Sequence, residues 1–279
     1  MVVAWEPAGR HRVTAVPTWL LLITRSGGSP GWDLLWRRES PASAGTPLSI
    51  FVKDSTMTRW TLYLALLALI LSTPLGAAEH RIEVLDSPVP ADAVSEAIAR
   101  QLTPTGISVY RGETRKICDI WLFKELAVKS FKAQGDVIYP LQPGQMVGVI
   151  RYPRRGSDFR DNDIETGIYT LRYAQQPVDG DHVGTSPTRD FLLLLHASKD
   201  KALDPLDFKK LAEQSAEVSG TNHPSLLSLQ HLQGDGKPPA IRTDAEKDWW
   251  IVRLASTLKV GDETKILALD VIVVGTASE

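Results

Sequence analysis

Short runs of aliphatic, β-branched and aromatic residues, each bounded by Gly, Pro or Asp, recur along this chain from about residue 80 onward. Such runs are typical of β-strands. We predict strands at 80–85, 107–110, 116–126, 145–152, 167–175, 190–196, 249–258 and 264–274, the last two joined by a hairpin turn at 259–263. The strands follow one another instead of alternating with helices, so the pattern predicts a mainly β fold, an antiparallel two-sheet β-sandwich.

One or two helices are appended to the predicted sandwich. Residues 91–102 place Val94, Ile98 and Leu102 at helical spacing. A second helix is predicted over 204–218, because Asp204 suits the N-cap and Pro205 the first helical position. Residues 79–279 are therefore expected to form a single β-sandwich-like domain.

A signal peptide is predicted at Met57–Ala78. A short basic start is followed by an apolar run, Trp60–Leu71, and by small residues up to Ala78. The apolar run is about twelve residues long, whereas a membrane-spanning helix needs about 20. We therefore expect cleavage, export to the periplasm or the extracellular space, and no membrane span in the mature chain.

Residues 1–56 precede this signal peptide and show no sustained helical or alternating period. Two interpretations stay open: an extended leader, or a start codon placed too far upstream, with Met57 as the true initiator. On either interpretation, we predict that residues 1–56 have no stable fold.

The charge balance and the single cysteine limit the function classes. Residues 79–279 hold 24 Lys and Arg against 29 Asp and Glu, so their net charge is −5. This balance argues against a nucleic-acid partner. Cys118 is the only cysteine, which excludes an intramolecular disulfide, and its apolar surroundings in the sequence predict burial.

The most polar landmark is the loop that joins the strands 167–175 and 190–196. Long loops at the end of a rigid sheet are where binding residues concentrate, so this loop supplies the candidate ligand-binding residues Asp179, Asp181, His182 and Arg189. Asp181 and His182 are also the candidate catalytic residues of a hydrolase. Asx turns explain the Asp-Gly-Asp sequence without any ligand.

An acidic run at 158–165 offers the candidate metal ligands Asp161, Asp163 and Glu165. Calcium prefers such oxygen ligands, but the ordered spacing of a calcium-binding hand is missing. This run and the acidic loop also lie at opposite ends of a strand about 23 Å long. No metal or other cofactor is therefore predicted, with calcium as the alternative.

Trp249 and Trp250 open a predicted strand, where adjacent side chains point to opposite faces. One of them should face inward, and the other could stack on a sugar ring. Trp250 is the candidate for this contact, against the alternative that both tryptophans belong to the core or the sheet edge.

The segments Gly167–Tyr173, Gln176–His182 and Arg189–Leu194 together resemble a group of exported bacterial proteins of unknown function. The resemblance implies a secreted β-sandwich, and it transfers no catalytic residue because the group carries no known activity.

Three functional hypotheses follow. The leading one is a non-enzymatic exported binding or accessory module, whose partner is a small molecule, a glycan or a protein. The alternative is an exported hydrolase with a His/carboxylate site around 179–182; a calcium-dependent adhesion domain is a third hypothesis.

Cleavage after Ala78 makes Glu79 the first residue of the exported protein. Amino-terminal sequencing of the protein recovered from its natural compartment should read Glu-His-Arg-Ile-Glu. A mature chain that retains any part of residues 1–56 would contradict both the cleavage and the proposed start at Met57.

Overall fold

The computed structural model describes residues 19–25, 32–38, 79–177 and 186–277. The chain divides into two units, 1–75 and 76–279. In the first, strands β1 (Trp19–Arg25) and β2 (Trp32–Arg38) form an antiparallel pair. The predicted signal peptide, 57–78, and most of residues 1–56 lie outside the described residues, so the expectations for both stay predictions.

The described part of the second unit is dominated by one eleven-stranded sheet, and two short strands form a separate pair. The described strands of the second unit, those of the large sheet and those of the short pair together, are β3 (His80–Leu85), β4 (Gly106–Arg111), β5 (Arg115–Leu122), β6 (Glu125–Ala127), β7 (Met146–Tyr152), β8 (Gly156–Ser157), β9 (Asp163–Ile164), β10 (Gly167–Gln175), β11 (Asp190–His196), β12 (Leu226–Gln230), β13 (Ala240–Asp244), β14 (Trp249–Val260) and β15 (Glu263–Val274). The short pair is β8 with β9. The mainly β class is thus confirmed.

The two-sheet sandwich is not confirmed, because the long strands belong to one continuous curled sheet, a half-barrel. Their order is β13-β14-β15-β12-β11-β10-β7-β5-β4-β3, with antiparallel neighbours throughout. β6 follows β5 after two residues and pairs in parallel with β14, which lies far from β5 in that order. Alternating patterns show which face of a strand is buried, but they do not show whether neighbouring strands share one sheet.

The main core fills the inside of this curl. Strands that are distant in the sheet order, such as β5 and β15, contribute side chains to one apolar cluster, as Ile120 and Val271 do. Only an inward-facing surface can unite strands from such distant parts of a curled sheet. A smaller cluster lies on the other face of β11, where Leu193 and Leu195 pack with Leu211.

The described helices are α1 (Glu96–Gln101) and α2 (Phe208–Ser219). Both begin later than predicted. Ser95 caps α1 by accepting from Ile98 N, and Asp207, not Asp204, caps α2 by accepting from Lys210 N. Asp204 lies before the helix, where its backbone carbonyl accepts a hydrogen bond from Arg172. No described helix is long and apolar enough to cross a membrane.

Of the remaining predictions on the strands, one is confirmed and others are wrong or incomplete. Cys118 is fully buried, as predicted, and burial raises the pKa of its thiol. The predicted strand 116–126 is broken between β5 and β6, and β12 and β13 were not predicted. β12 lies inside the sheet between β11 and β15.

A buried ion pair ties β10 to the segment that follows β11. The Arg172 guanidinium donates to both carboxylate oxygens of Asp200, at 2.7 and 2.8 Å, and neither residue is more than 3% exposed. Its remaining donors reach the carbonyls of Gly144, Ala202 and Asp204. Every N–H of this buried cation thus has an acceptor, as a charge in a protein interior requires.

Removing one partner leaves the other charge buried and uncompensated. We expect Asp200→Ala to lower the free energy of unfolding by about 3–5 kcal/mol in urea denaturation. The control is Glu96→Gln, which breaks the exposed Glu96–Arg100 pair on α1 and should cost about 0.5 kcal/mol or less. Equal losses in the two variants would contradict the role assigned to Asp200.

Candidate functional site

Three candidate residues of the polar loop, Asp179, Asp181 and His182, lie outside the described residues, so their roles stay predictions. Arg189, at the end of the same loop, is described. Its guanidinium donates to the Gln176 carbonyl at 2.8 and 3.1 Å and pairs with Asp136. These bonds hold the two flanks of the loop together and occupy donors that a ligand would otherwise use.

The acidic run at 158–165 is bound to its own turn and to an arginine. The buried Asp158 carboxylate accepts from the backbone N–H groups of Arg160 and Asn162, each at 2.9 Å. Arg155 pairs with the candidate ligands Asp163 and Glu165, at 3.4 and 2.8 Å. The Asp158 carboxylate thus stabilises a turn, and the Asp163 and Glu165 carboxylates have an arginine as their partner.

Asp161 lies exposed in the same turn, at a positive φ of 62°. Within residues 79–177 and 186–277, no three His, Cys, Asp or Glu side chains are grouped as a metal ion would need.

The two tryptophans differ in environment. Trp249 is buried, packs edge-on to Phe159 and donates its indole N–H to the Thr276 carbonyl at 2.7 Å. Trp250 is half-buried and lies against the imidazole of His80, with the ring centroids 4.5 Å apart. The candidate Trp250 therefore adjoins a histidine that sequence reasoning did not select.

That histidine lies in a cavity at one end of the half-barrel, where β3 and β5 begin and β4, β7 and β15 end. We call this the rim cavity; its volume is about 430 Å³. Its polar lining includes His80, Arg111, Arg115, Arg154, Arg155 and Asp163, and its apolar lining includes Ile117, Tyr152, Val273 and Val274.

The strand register places three basic residues side by side. Arg111 and Arg115 flank the turn between β4 and β5, which Gly112 makes at a φ of 63°, and they lie directly opposite each other. His80 on β3 lies opposite Arg111. Like charges in directly opposite positions destabilise an antiparallel pair. An uncompensated arrangement of this kind is a candidate site for an anion.

The rim cavity has a strong excess of positive charge. Among the described residues, four arginines and one aspartate line it, which gives +3 with His80 neutral. Arg155 is paired with acidic residues, whereas Arg111, Arg115 and Arg154 are exposed and have no carboxylate partner within the described part of the chain. The net charge of −5 for residues 79–279 therefore conceals a basic site.

His80 is the most unusual group in the rim cavity. It is 6% exposed, and neither ring nitrogen has a hydrogen-bond partner among the described residues. Burial lowers its pKa from the usual 6.5; the cations of Arg111 and Arg115 lower it further, and Asp248 acts in the opposite direction. His80 is therefore neutral at pH 7.

Tyr152 shares this lack of partners. It is 1% exposed, its hydroxyl has no hydrogen-bond partner in the described structure, and burial raises its pKa. A buried polar group left unpaired costs about 1–3 kcal/mol. Such groups call for an explanation, and a ligand site supplies one for both residues.

No family model, no curated protein and no solved structure matches this chain. The chemistry of the rim cavity must therefore be read from its own residues. It offers guanidinium donors beside an apolar wall, and within the described residues no nucleophile is hydrogen-bonded to His80. Guanidinium donors beside an apolar wall are chemically suited to an organic anion.

The lowered pKa of His80 predicts a specific dependence of stability on pH. In the unfolded chain His80 takes up a proton near pH 6.5, whereas the folded chain resists it to lower pH. The unfolded state then binds more protons, so stability falls as pH drops through 6.5 and levels off below the folded-state pKa.

In urea denaturation at about pH 7.5 and about pH 5, the wild type should lose more free energy of unfolding than His80→Gln does, by about 1.4 kcal/mol for each unit of lowered pKa. Other titrating groups cancel in this difference. An equal loss in both proteins would contradict the assignment.

Proposed function

We propose that this protein is an exported binding module that captures a small organic anion with more than one negatively charged group in the rim cavity. The observation that carries the proposal is the register of His80, Arg111 and Arg115, which places two arginines without a carboxylate partner among the described residues beside a buried imidazole. An anion would convert this local repulsion into attraction.

Guanidinium groups suit such a ligand. Each presents a planar set of N–H donors that matches the two oxygens of a carboxylate or a phosphate. Arg111 and Arg115 sit on one hairpin, and Arg154 follows β7, so donors reach the rim cavity from two directions. This geometry favours a ligand whose charged groups are distributed over its surface.

The size of the rim cavity supports an organic ligand over a bare inorganic ion. Its volume of about 430 Å³ lies in the range of about 300–1,000 Å³ typical of small-molecule sites, while one water molecule occupies only about 30 Å³. Ile117, Val273 and Val274 add an apolar wall for a carbon skeleton. The lining charge of +3 favours two or three negative groups on the ligand.

Export is part of the proposal and rests on the pattern at 57–78. The hydrolase hypothesis concerns Asp181 and His182, outside the described residues, and draws no support from the rim cavity. The binding hypothesis is preferred because Arg111, Arg115 and Arg154 have no carboxylate partner among the described residues.

Calorimetric titration with acetate, succinate and citrate at about pH 7.5 and constant ionic strength tests the proposal. We expect the affinity to rise with the number of carboxylates, because each added charge meets a further guanidinium. The double variant Arg111→Gln/Arg115→Gln should bind citrate at least about tenfold more weakly, since charge-assisted hydrogen bonds contribute about 1.5–3 kcal/mol each.

The matched control is Arg100→Gln, which removes an exposed arginine of α1 that does not line the rim cavity. It should leave citrate affinity unchanged. The proposal is wrong if citrate does not bind, or if the control weakens binding as much as the double variant does.

A further inference from the structure

We infer that the rim cavity takes up a proton at His80 together with its anion, so that the protein holds the anion more tightly in acid and releases it as the pH rises. The inference rests on the proposed function and adds its regulation. Its basis is the position of a buried, unpaired imidazole next to the arginines that would hold the anion.

No hydrogen bond to a described residue fixes the protonation state of His80. Its ring lies against Trp250, and neither nitrogen is committed to a hydrogen bond with a described residue. A neutral imidazole has one donor and one acceptor nitrogen, while the protonated ring has two donors. Protonation therefore breaks no existing hydrogen bond at this position.

Charges face His80 from several elements. Arg111 approaches from β4 and Arg115 from β5, and both disfavour a proton on the ring. Asp248, in the turn before β14, favours it. The remaining charged residues of the rim cavity lie between β7 and β10: Arg154, Arg155 and Asp163.

An anion changes this balance. In the free protein, a proton on the buried His80 ring adds a third cation beside two arginines, and the charge of a buried group interacts more strongly with its neighbours than it would in solution. An anion held by Arg111 and Arg115 offsets their field and attracts the added proton. Binding of the anion must then raise the pKa of His80, and a proton on His80 must by linkage raise the affinity for the anion to the same degree.

The direction of the pH dependence follows. The free protein has a His80 pKa below 6.5, and the anion complex has a higher one. Affinity rises as pH falls through the interval between these two values and is constant outside it. The gain is about tenfold for each unit that separates them.

The arginines cannot supply this response, because a guanidinium stays protonated at every relevant pH. His80 is the only histidine among the described residues that line the rim cavity. The pH response therefore belongs to His80, and a single substitution of this residue tests it.

The probe is ethane-1,2-disulfonate, whose two sulfonates stay ionised at all pH values used, so that any pH dependence belongs to the protein. Calorimetry should show binding at least about fivefold tighter at about pH 5 than at about pH 7.5. His80→Gln should reduce this ratio to about one. His223→Gln, which changes an exposed histidine outside the rim cavity, should preserve it.

A direct measurement does not depend on the variants. In the ¹³C-histidine NMR spectrum of the wild type, the Cε1–H signal that His80→Gln removes should titrate at a higher pH when the disulfonate is present. Binding with a pH-independent affinity and an unmoved His80 titration would overturn the inference while leaving the proposed function intact. Absence of binding at both pH values would overturn both.

Discussion

The short parallel pairing of β6 with β14 determines the shape of the second unit. Glu125–Ala127 lie beside Thr257–Lys259, and the contact is extended at both ends by hydrogen bonds, from Ser256 Oγ to the Phe123 carbonyl at 2.7 Å and from Val128 N to the Lys259 carbonyl at 2.9 Å. This pairing brings distant strands of one sheet together. The sheet must curl to satisfy it, and the inside of the curl becomes the main apolar core.

The curl also creates the rim cavity. The beginnings of β3 and β5 and the ends of β4, β7 and β15 meet at one end of the half-barrel. The buried charges elsewhere have full sets of partners, as Arg172 has with Asp200. Three arginines of the rim cavity have no acidic partner in the described part of the chain. This contrast separates the charges that stabilise the fold from those that we propose bind a ligand.

Much of the strand content could be predicted from sequence, because hydrophobic runs and turn residues are local signals. His80–Leu85 and Gly167–Gln175 have the predicted limits. The single curled sheet could not be predicted, since it depends on a three-residue pairing between β6 and β14. The start of α2 was misplaced because Asp207, and not Asp204, accepts the capping hydrogen bond from Lys210 N.

The rim cavity was missed for a related reason. In the sequence, Arg111 and Arg115 have the pattern of solvated turn residues, and His80 stands at the start of a predicted strand. The three residues come together only when the strands pair. The available signal was the pair of arginines flanking one tight turn. The acidic run at 158–165 has the more conspicuous composition, but its Asp158 carboxylate is bound within a turn.

The most decisive measurement is a crystal structure of the protein with citrate, the multiply charged organic anion proposed to bind most tightly of those compared. We expect citrate in the rim cavity, with its carboxylates within hydrogen-bonding distance of the guanidinium groups of Arg111 and Arg115. Citrate found only elsewhere on the protein, with the rim cavity holding nothing but water, would contradict the proposal.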